Sequence, residues 1–206
     1  GDSKQDFYAY GISSDIISDI TGVGQLRVAS LSSVEELQKE GLKNKEIAEK
    51  LSSRYVVSGS LWKIDSIFQL SMELFDTDEE KLLASQRWEM NWKDLAYLKR
   101  DLSKKIIEGL NIKIINELNN KSSINPIAYE LYLKGKHTFK KRQKIEDIEV
   151  ARDLFLKALE LDSNFIEARY IFGSTYLDSD IEIAMKHFEL ALNKANNFDD
   201  KKTKMD

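Results

Sequence analysis

Residues 55–92, YVVSGSLWKIDSIFQLSMELFDTDEEKLLASQRWEMNW, decide the fold. Apolar residues recur here at every second position, the period at which a half-buried strand turns successive side chains to opposite faces. Residues 55–64 read as a first strand. Residues 67–75 alternate cleanly, with Phe68, Leu70, Met72 and Leu74 on one face and Gln69, Ser71 and Glu73 on the other. Residues 82–92 alternate again and set Leu82, Ala84, Trp88, Met90 and Trp92 on one side. The connections at Asp65-Ser66 and residues 76–80 are short and polar, too short for a parallel crossover. An antiparallel meander is expected.

On either side the period lengthens to that of a helix. Residues 7–20 bring Tyr8, Ile12, Ile16, Ile17 and Ile20 near one face, and Gly22 and Gly24 then turn the chain. Residues 26–30 (LRVAS) read as a short buried strand. Ser32 or Ser33 is expected to cap the next helix, with Glu35 and Glu36 in its first turn, where they favour the dipole. A second short helix over 44–52 turns Ile47, Ala48 and Leu51 inward. Downstream, a helix over 93–119 carries a stripe of Leu95, Leu98, Leu102, Ile106, Leu110, Ile114 and Leu118, suited to packing across a sheet. Asn119-Asn120-Lys121-Ser122-Ser123 forms a polar linker, and Pro126, the one proline in the sequence, suits the first turn of a new helix. The expected organisation is an α/β domain over 1–121, a mixed sheet with the meander and helices packed on it, followed by an all-α segment over 122–206.

That second segment repeats itself. Ala151-x3-Phe155-x2-Ala158-Leu159 recurs as Ala184-x3-Phe188-x2-Ala191-Leu192, 33 positions on. A helix with a mid-face glycine precedes each copy, Gly135 in one and Gly173 in the other, with Tyr176 three residues past the second. Small residues let paired helices approach closely, and the aromatic fills the groove between them. This is the logic of the tetratricopeptide repeat, whose period is about 34. Ser163 stands where the usual proline would be, and the turn near residues 140–146 is longer than that repeat allows. A plain pair of helical hairpins is the alternative.

Composition narrows the function. Lys and Arg number 31 against 35 Asp and Glu in 206 residues, a net charge of −4, so the concentrated positive footprint of a nucleic-acid binder is lacking. The sequence has no cysteine, which excludes disulfides, thiolate metal sites and cysteine nucleophiles. No apolar run approaches the roughly 20 residues that cross a bilayer. His137 and His187 stand apart, with no triad around either. The acidic run from Asp76 to Glu80 would need glycine at Lys81 and glutamate at Arg87 to be a calcium loop, and reads as a solvated hairpin turn. Gly22-Val23-Gly24 and Ser58-Gly59-Ser60 lack the lysine of a phosphate loop, and Gly59, mid-strand, marks a bulge or close approach. Ser13-Ser14-Asp15 and Ser18-Asp19 read as helix surface. Trp62, Trp88 and Trp92 read as core or sheet-face residues. No catalytic residues, cofactor or metal ligands are assigned, and the expectation is a non-enzymatic interaction module. Its partner would be a protein bound in a groove lined by Tyr129, Tyr132, Lys136 and Phe139 in the first repeat and Glu167, Tyr170, Ser174 and Leu177 in the second. These positions could equally be covered as ordinary core.

Several segments together resemble one family. Gly1-Asp2-Ser3-Lys4-Gln5-Asp6-Phe7-Tyr8-Ala9-Tyr10-Gly11-Ile12 with Asp15-Ile16-Ile17, Leu26-Arg27-Val28-Ala29-Ser30, Ile47-Ala48-x2-Leu51, Arg54-Tyr55-Val56-Val57-Ser58-Gly59-Ser60 and Gln69 through Asp76 resemble, in order and spacing, the TolB-amino-terminal-like (FlgO-like) domain. Asn125-Pro126-x-Ala128-Tyr129-x-Leu131-Tyr132-Leu133-x-Gly135 is similar to the start of the tetratricopeptide region that commonly follows it. Tyr10, Glu80 and Ala84 depart from the family's aspartate, hairpin glycine and tryptophan. The resemblance implies a signal-relay region of a larger bacterial protein, attached to a class III adenylate or guanylate cyclase or to a winged helix, and a cyclase attachment would favour the cytoplasm. It also implies a first strand preceding residue 1, beside 26–30 or 55–64, whose absence would leave an edge open to homodimerisation. A small-ligand sensor with a pocket at the strand ends near Gly22–Gly24 and Ser30–Ser33 is the alternative function.

Overall fold

The computed structural model describes residues 6–112 and 124–203. The chain divides into two compact units, Gly1–Ser122 and Ser123–Asp206.

The first unit is built on β1 (Tyr55–Ile64), β2 (Ile67–Asp76) and β3 (Lys81–Asn91), paired antiparallel in the order β1-β2-β3. The expected meander forms. The expected mixed sheet does not, since every pairing among the described residues is antiparallel. On β2, Phe68, Leu70, Met72 and Leu74 are buried as the alternation requires, none more than 8% exposed. On β3 the alternation slips. The register shifts between Leu74 and Phe75, so that Leu74 faces Ala84 while Phe75 faces Leu82. This bulge adds one residue to β3 and turns Leu82 to the open side of the sheet, where it is 49% exposed. Gly59 has no bulge of its own. A Cβ there would run into the carbonyl oxygen of Ser71 on β2, so close strand approach requires the glycine.

Helices cover one face of this sheet. α1 (Asp6–Gly22) turns Tyr8, Ile12 and Ile20 inward, and the Tyr8 ring meets Phe68 edge-on at 4.8 Å. The segment 26–30, expected as a strand, belongs to no ladder. It has no neighbour to pair with, because β1 bonds to β2 alone among the described residues. Ser30, and not Ser32 or Ser33, caps α2 (Leu31–Lys39), its side chain accepting from the Ser33 N–H. Glu35 and Glu36 consequently lie beyond the first turn. α3 (Asn44–Lys50) buries Ile47 and Ala48. A 3₁₀ turn, Trp92–Asp94, leads into α4 (Leu95–Gly109), which buries Leu95, Leu98, Leu102, Ile106 and Ile107. α4 stops ten residues before the expected end. Asn111 takes the left-handed conformation (φ 54°), and the Ile112 N–H reaches the Ile107 carbonyl at 3.2 Å, closing the last turn. Ile114, Leu118 and the linker lie outside the described residues.

The second unit is helical: α5 (Pro126–Lys141), α6 (Ile145–Leu161), α7 (Ile166–Ser174) and α8 (Ile181–Thr203). Pro126 occupies the first turn of α5, and the Asn125 side chain caps it by accepting from Ile127 and Ala128 N–H groups at 2.9 and 3.2 Å. Because α5 runs to Lys141, the turn to α6 shortens to residues 142–144. The Asp147 carboxylate secures that turn by accepting from the Gln143 and Lys144 N–H groups. α5 packs on α6 and α7 on α8, as two successive hairpins.

Candidate functional site

The repeat's glycines sit where its aromatics press. A Cβ at Gly135 would stand 2.7 Å from the Phe155 ring, and one at Gly173 would stand 3.0 Å from the Phe188 ring and from the His187 Cβ. The two hairpins are thus locked by the same glycine–phenylalanine contact.

The faces expected to line a groove differ between the hairpins. Tyr129 and Tyr132 are 1% and 2% exposed. Their rings lie 6.2 and 4.8 Å from that of Phe165, at the entry to α7, and Tyr132 also meets Phe155. These two tyrosines are buried within the helical unit. Lys136 and Phe139 are half-buried, and the Lys136 ammonium sits over the Tyr132 ring at 5.2 Å. In the second hairpin Glu167 is exposed, Ser174 is half-buried, and Tyr170 and Leu177 are 53% and 49% exposed. Arg152 joins the two hairpins. Its guanidinium donates to the Thr175 carbonyl at 2.6 Å and to the Ser179 hydroxyl at 2.9 Å, and stacks on Tyr176 at 3.7 Å.

The first unit gathers polar groups into two partly buried networks. Asp76 is 2% exposed. One of its oxygens accepts from the Arg54 Nε and Nη2 at 3.0 and 2.8 Å, and the other accepts the Asp78 and Glu79 N–H groups at 3.0 and 3.1 Å. The Arg54 hydrogen bonds hold the Asp76 carboxyl below the usual range, against the opposing effect of burial. Asp76 therefore organises the hairpin turn from inside. The pairing of Tyr55 with Asp76 sets Arg54 beside it, a signal the sequence carries once the register is known.

The second network ties α1 to α4. The Lys99 ammonium lies 3.1 Å from one Asp19 oxygen, and the Ser103 hydroxyl donates to the other at 3.0 Å. Burial raises the Asp19 pKa, and Lys99 offsets part of that rise. Asp15, also read as surface, is 5% exposed. Among the aromatics, Trp88 is buried and its indole N–H donates to Asp101 at 2.6 Å, while Trp62 is 66% exposed on the open sheet face. At the suggested ligand site, the Ser30 and Ser33 hydroxyls bond to each other at 2.8 Å within the helix cap. Half-buried His187 packs edge-on against Phe172, and burial lowers its pKa. Among the described residues, no three His, Cys, Asp or Glu side chains are placed to hold a metal, and no helix is long and apolar enough to cross a membrane.

No protein-family model matches the chain. It is 22% identical over 172 residues to the protein described as "Putative adenylate cyclase 3" of Rhizobium meliloti (strain 1021). That alignment covers 82% of this chain and 29% of the relative's length. The chain thus spans less than a third of the length of this distant relative.

Proposed function

We propose that this chain is a non-catalytic regulatory region of a nucleotide-cyclase-type signalling protein, in which a TolB-amino-terminal-like domain and a tetratricopeptide-like segment relay a signal through protein contacts. The observation that carries this reading is the extent of the likeness to the Rhizobium protein. Most of this chain, 82%, aligns, yet it accounts for less than a third of a longer polypeptide named for cyclase activity. That asymmetry suits an accessory region beside a separate catalytic part. The glycine–phenylalanine contacts at Gly135 and Gly173 support the tetratricopeptide reading, because close helix pairing is the purpose of that repeat's small residues.

Two measurements test the proposal. The purified chain, given ATP or GTP with magnesium or manganese, should form no cyclic nucleotide; turnover that survives re-purification would overturn the non-catalytic reading. Substituting this chain for the matching region of the Rhizobium protein should change its cyclase rate several-fold relative to deleting that region. Equal rates for the substituted and deleted forms would overturn the regulatory reading.

A further inference from the structure

The two hairpins occupy equivalent positions in an internal repeat but unequal environments. Adding 33 to the positions on α6 gives their counterparts on α8, and adding 38 on α5 gives those on α7. Tyr132, Arg152 and Leu159 are 2%, 9% and 7% exposed, and the following hairpin covers the first two. Their counterparts Tyr170, Met185 and Leu192 are 53%, 50% and 61% exposed, and Ile181, beside them on α8, is 57% exposed. The first hairpin's cover is known in detail: the Phe165 ring on Tyr132, and Thr175, Tyr176 and Ser179 around Arg152.

We infer that the outer face of α7 and α8 is a docking surface for one further helical hairpin of the same repeat type, seated as the second hairpin seats on the first. The argument is continuity with the interface already present. A surface whose equivalent is buried by a hairpin at both Tyr132 and Arg152 is shaped for the same occupant. Its chemistry differs at one place, and this specifies the occupant further. Arg152 demands acceptors, which Thr175 and Ser179 provide, whereas Met185 demands none. The occupant therefore presents an aromatic side chain at the position of Phe165, to cover Tyr170, and apolar side chains where Thr175 and Ser179 stand. Four large apolar residues half-exposed on α7 and α8 form the kind of patch that marks an interaction site. The inference rests on the internal repeat and not on the cyclase association, so the two fail separately.

The test extends the chain by one repeat: residues 1–196 followed by a second copy of residues 164–196 that carries Thr175→Val and Ser179→Ala in the copy alone, which keeps the period of 33. The extended protein should melt in one transition several degrees above the parent, and hydrogen exchange at α7 and α8 should slow. Met185→Glu with Leu192→Glu should abolish that gain, while shifting the parent's melting temperature by no more than a degree or two. An extended chain that melts at the parent's temperature, or whose added helices melt as a separate transition, would overturn the inference. So would a parent that forms dimers abolished by the same two substitutions, since the face would then belong to a second copy.

Discussion

Gly135 and Phe155 are packed so closely that a methyl group on the Gly135 α-carbon would stand 2.7 Å from the ring. Phe155 is fully buried. Gly135→Ala should therefore cost roughly 1–3 kcal/mol, the usual penalty of overpacking, despite the better helix propensity of alanine. At Gly173 the nearest contacts are 3.0 Å or longer and the Phe188 ring is half-buried. There the propensity gain of about 1 kcal/mol should nearly offset the crowding. Paired melting curves check the contrast, and equal losses would contradict it.

The Arg54–Asp76 contact predicts how the first unit responds to acid. A carboxyl held below its unfolded value keeps its charge longer in the native state. It stabilises the fold above the unfolded value near 3.8, and that contribution drains as pH falls through the native one. Asp76→Asn removes an oxygen that accepts from Arg54 or from the Asp78 and Glu79 N–H groups. The variant should melt well below the parent at pH 7, with the gap closing below about pH 3.8. A gap of constant size from pH 7 to 2.5 would show that charge is not what Asp76 contributes.

Asp19 has the opposite sign. Burial raises its native pKa, so the native state binds its proton more readily than the unfolded chain, and acid relieves a cost. Lys99→Met would leave that carboxylate in the α1–α4 interface without its counter-charge, at a cost of about 1–3 kcal/mol at pH 7. The deficit should shrink as the pH is lowered toward 4. Asp19→Ala, with no carboxyl to protonate, should show no such recovery. Stability measured by urea titration at several pH values separates the two variants.

What the sequence made legible was periodic. The alternation of Phe68, Leu70, Met72 and Leu74 and the stripe from Leu95 to Ile106 are direct records of which side faces the core. Features that break a period were not legible. A one-residue bulge opposite Leu74 and Phe75 leaves no mark on composition, and it turned Leu82 outward. Residues 26–30 have strand-like letters, but a strand is made by its neighbour. Asp19 and Asp76 read as surface because carboxylates are usually exposed; their burial depends on partners 22 to 84 positions away, Arg54 for Asp76 and Ser103 for Asp19. In the candidate groove, Tyr132 and Tyr170 carry the same residue at equivalent positions. Nothing local distinguishes the one that Phe165 covers.

Among the described residues the outer edge of β1 pairs with no strand, and Val57, on the same sheet face as Leu74, is 43% exposed. Unpaired edges with exposed apolar residues recruit further strands. The protein should dimerise at high concentration through this edge, and Val57→Lys, which places a charge on it, should shift the population to monomer. Sedimentation or light scattering reads both. A parent that stays monomeric at high concentration would refute the expectation.

The sharpest contrast lies between the two equivalent tyrosines. Tyr132 is 2% exposed and in contact with both Phe155 and Phe165, so Tyr132→Ala opens a cavity in the core of the helical unit and should cost roughly 3–5 kcal/mol. Tyr170 is 53% exposed and touches Phe188 at 5.2 Å between ring centres. Tyr170→Ala removes a ring that water already reaches, and its cost should stay near 1 kcal/mol, a shift of a few degrees. The same pair of substitutions in the chain extended by one repeat should converge, because Tyr170 would then be covered as Tyr132 is. Melting curves on the four proteins measure this directly. A Tyr170→Ala variant that collapses in the unextended chain would place that ring in the core, and a Tyr132→Ala variant that melts normally would put the Phe165 contact in doubt.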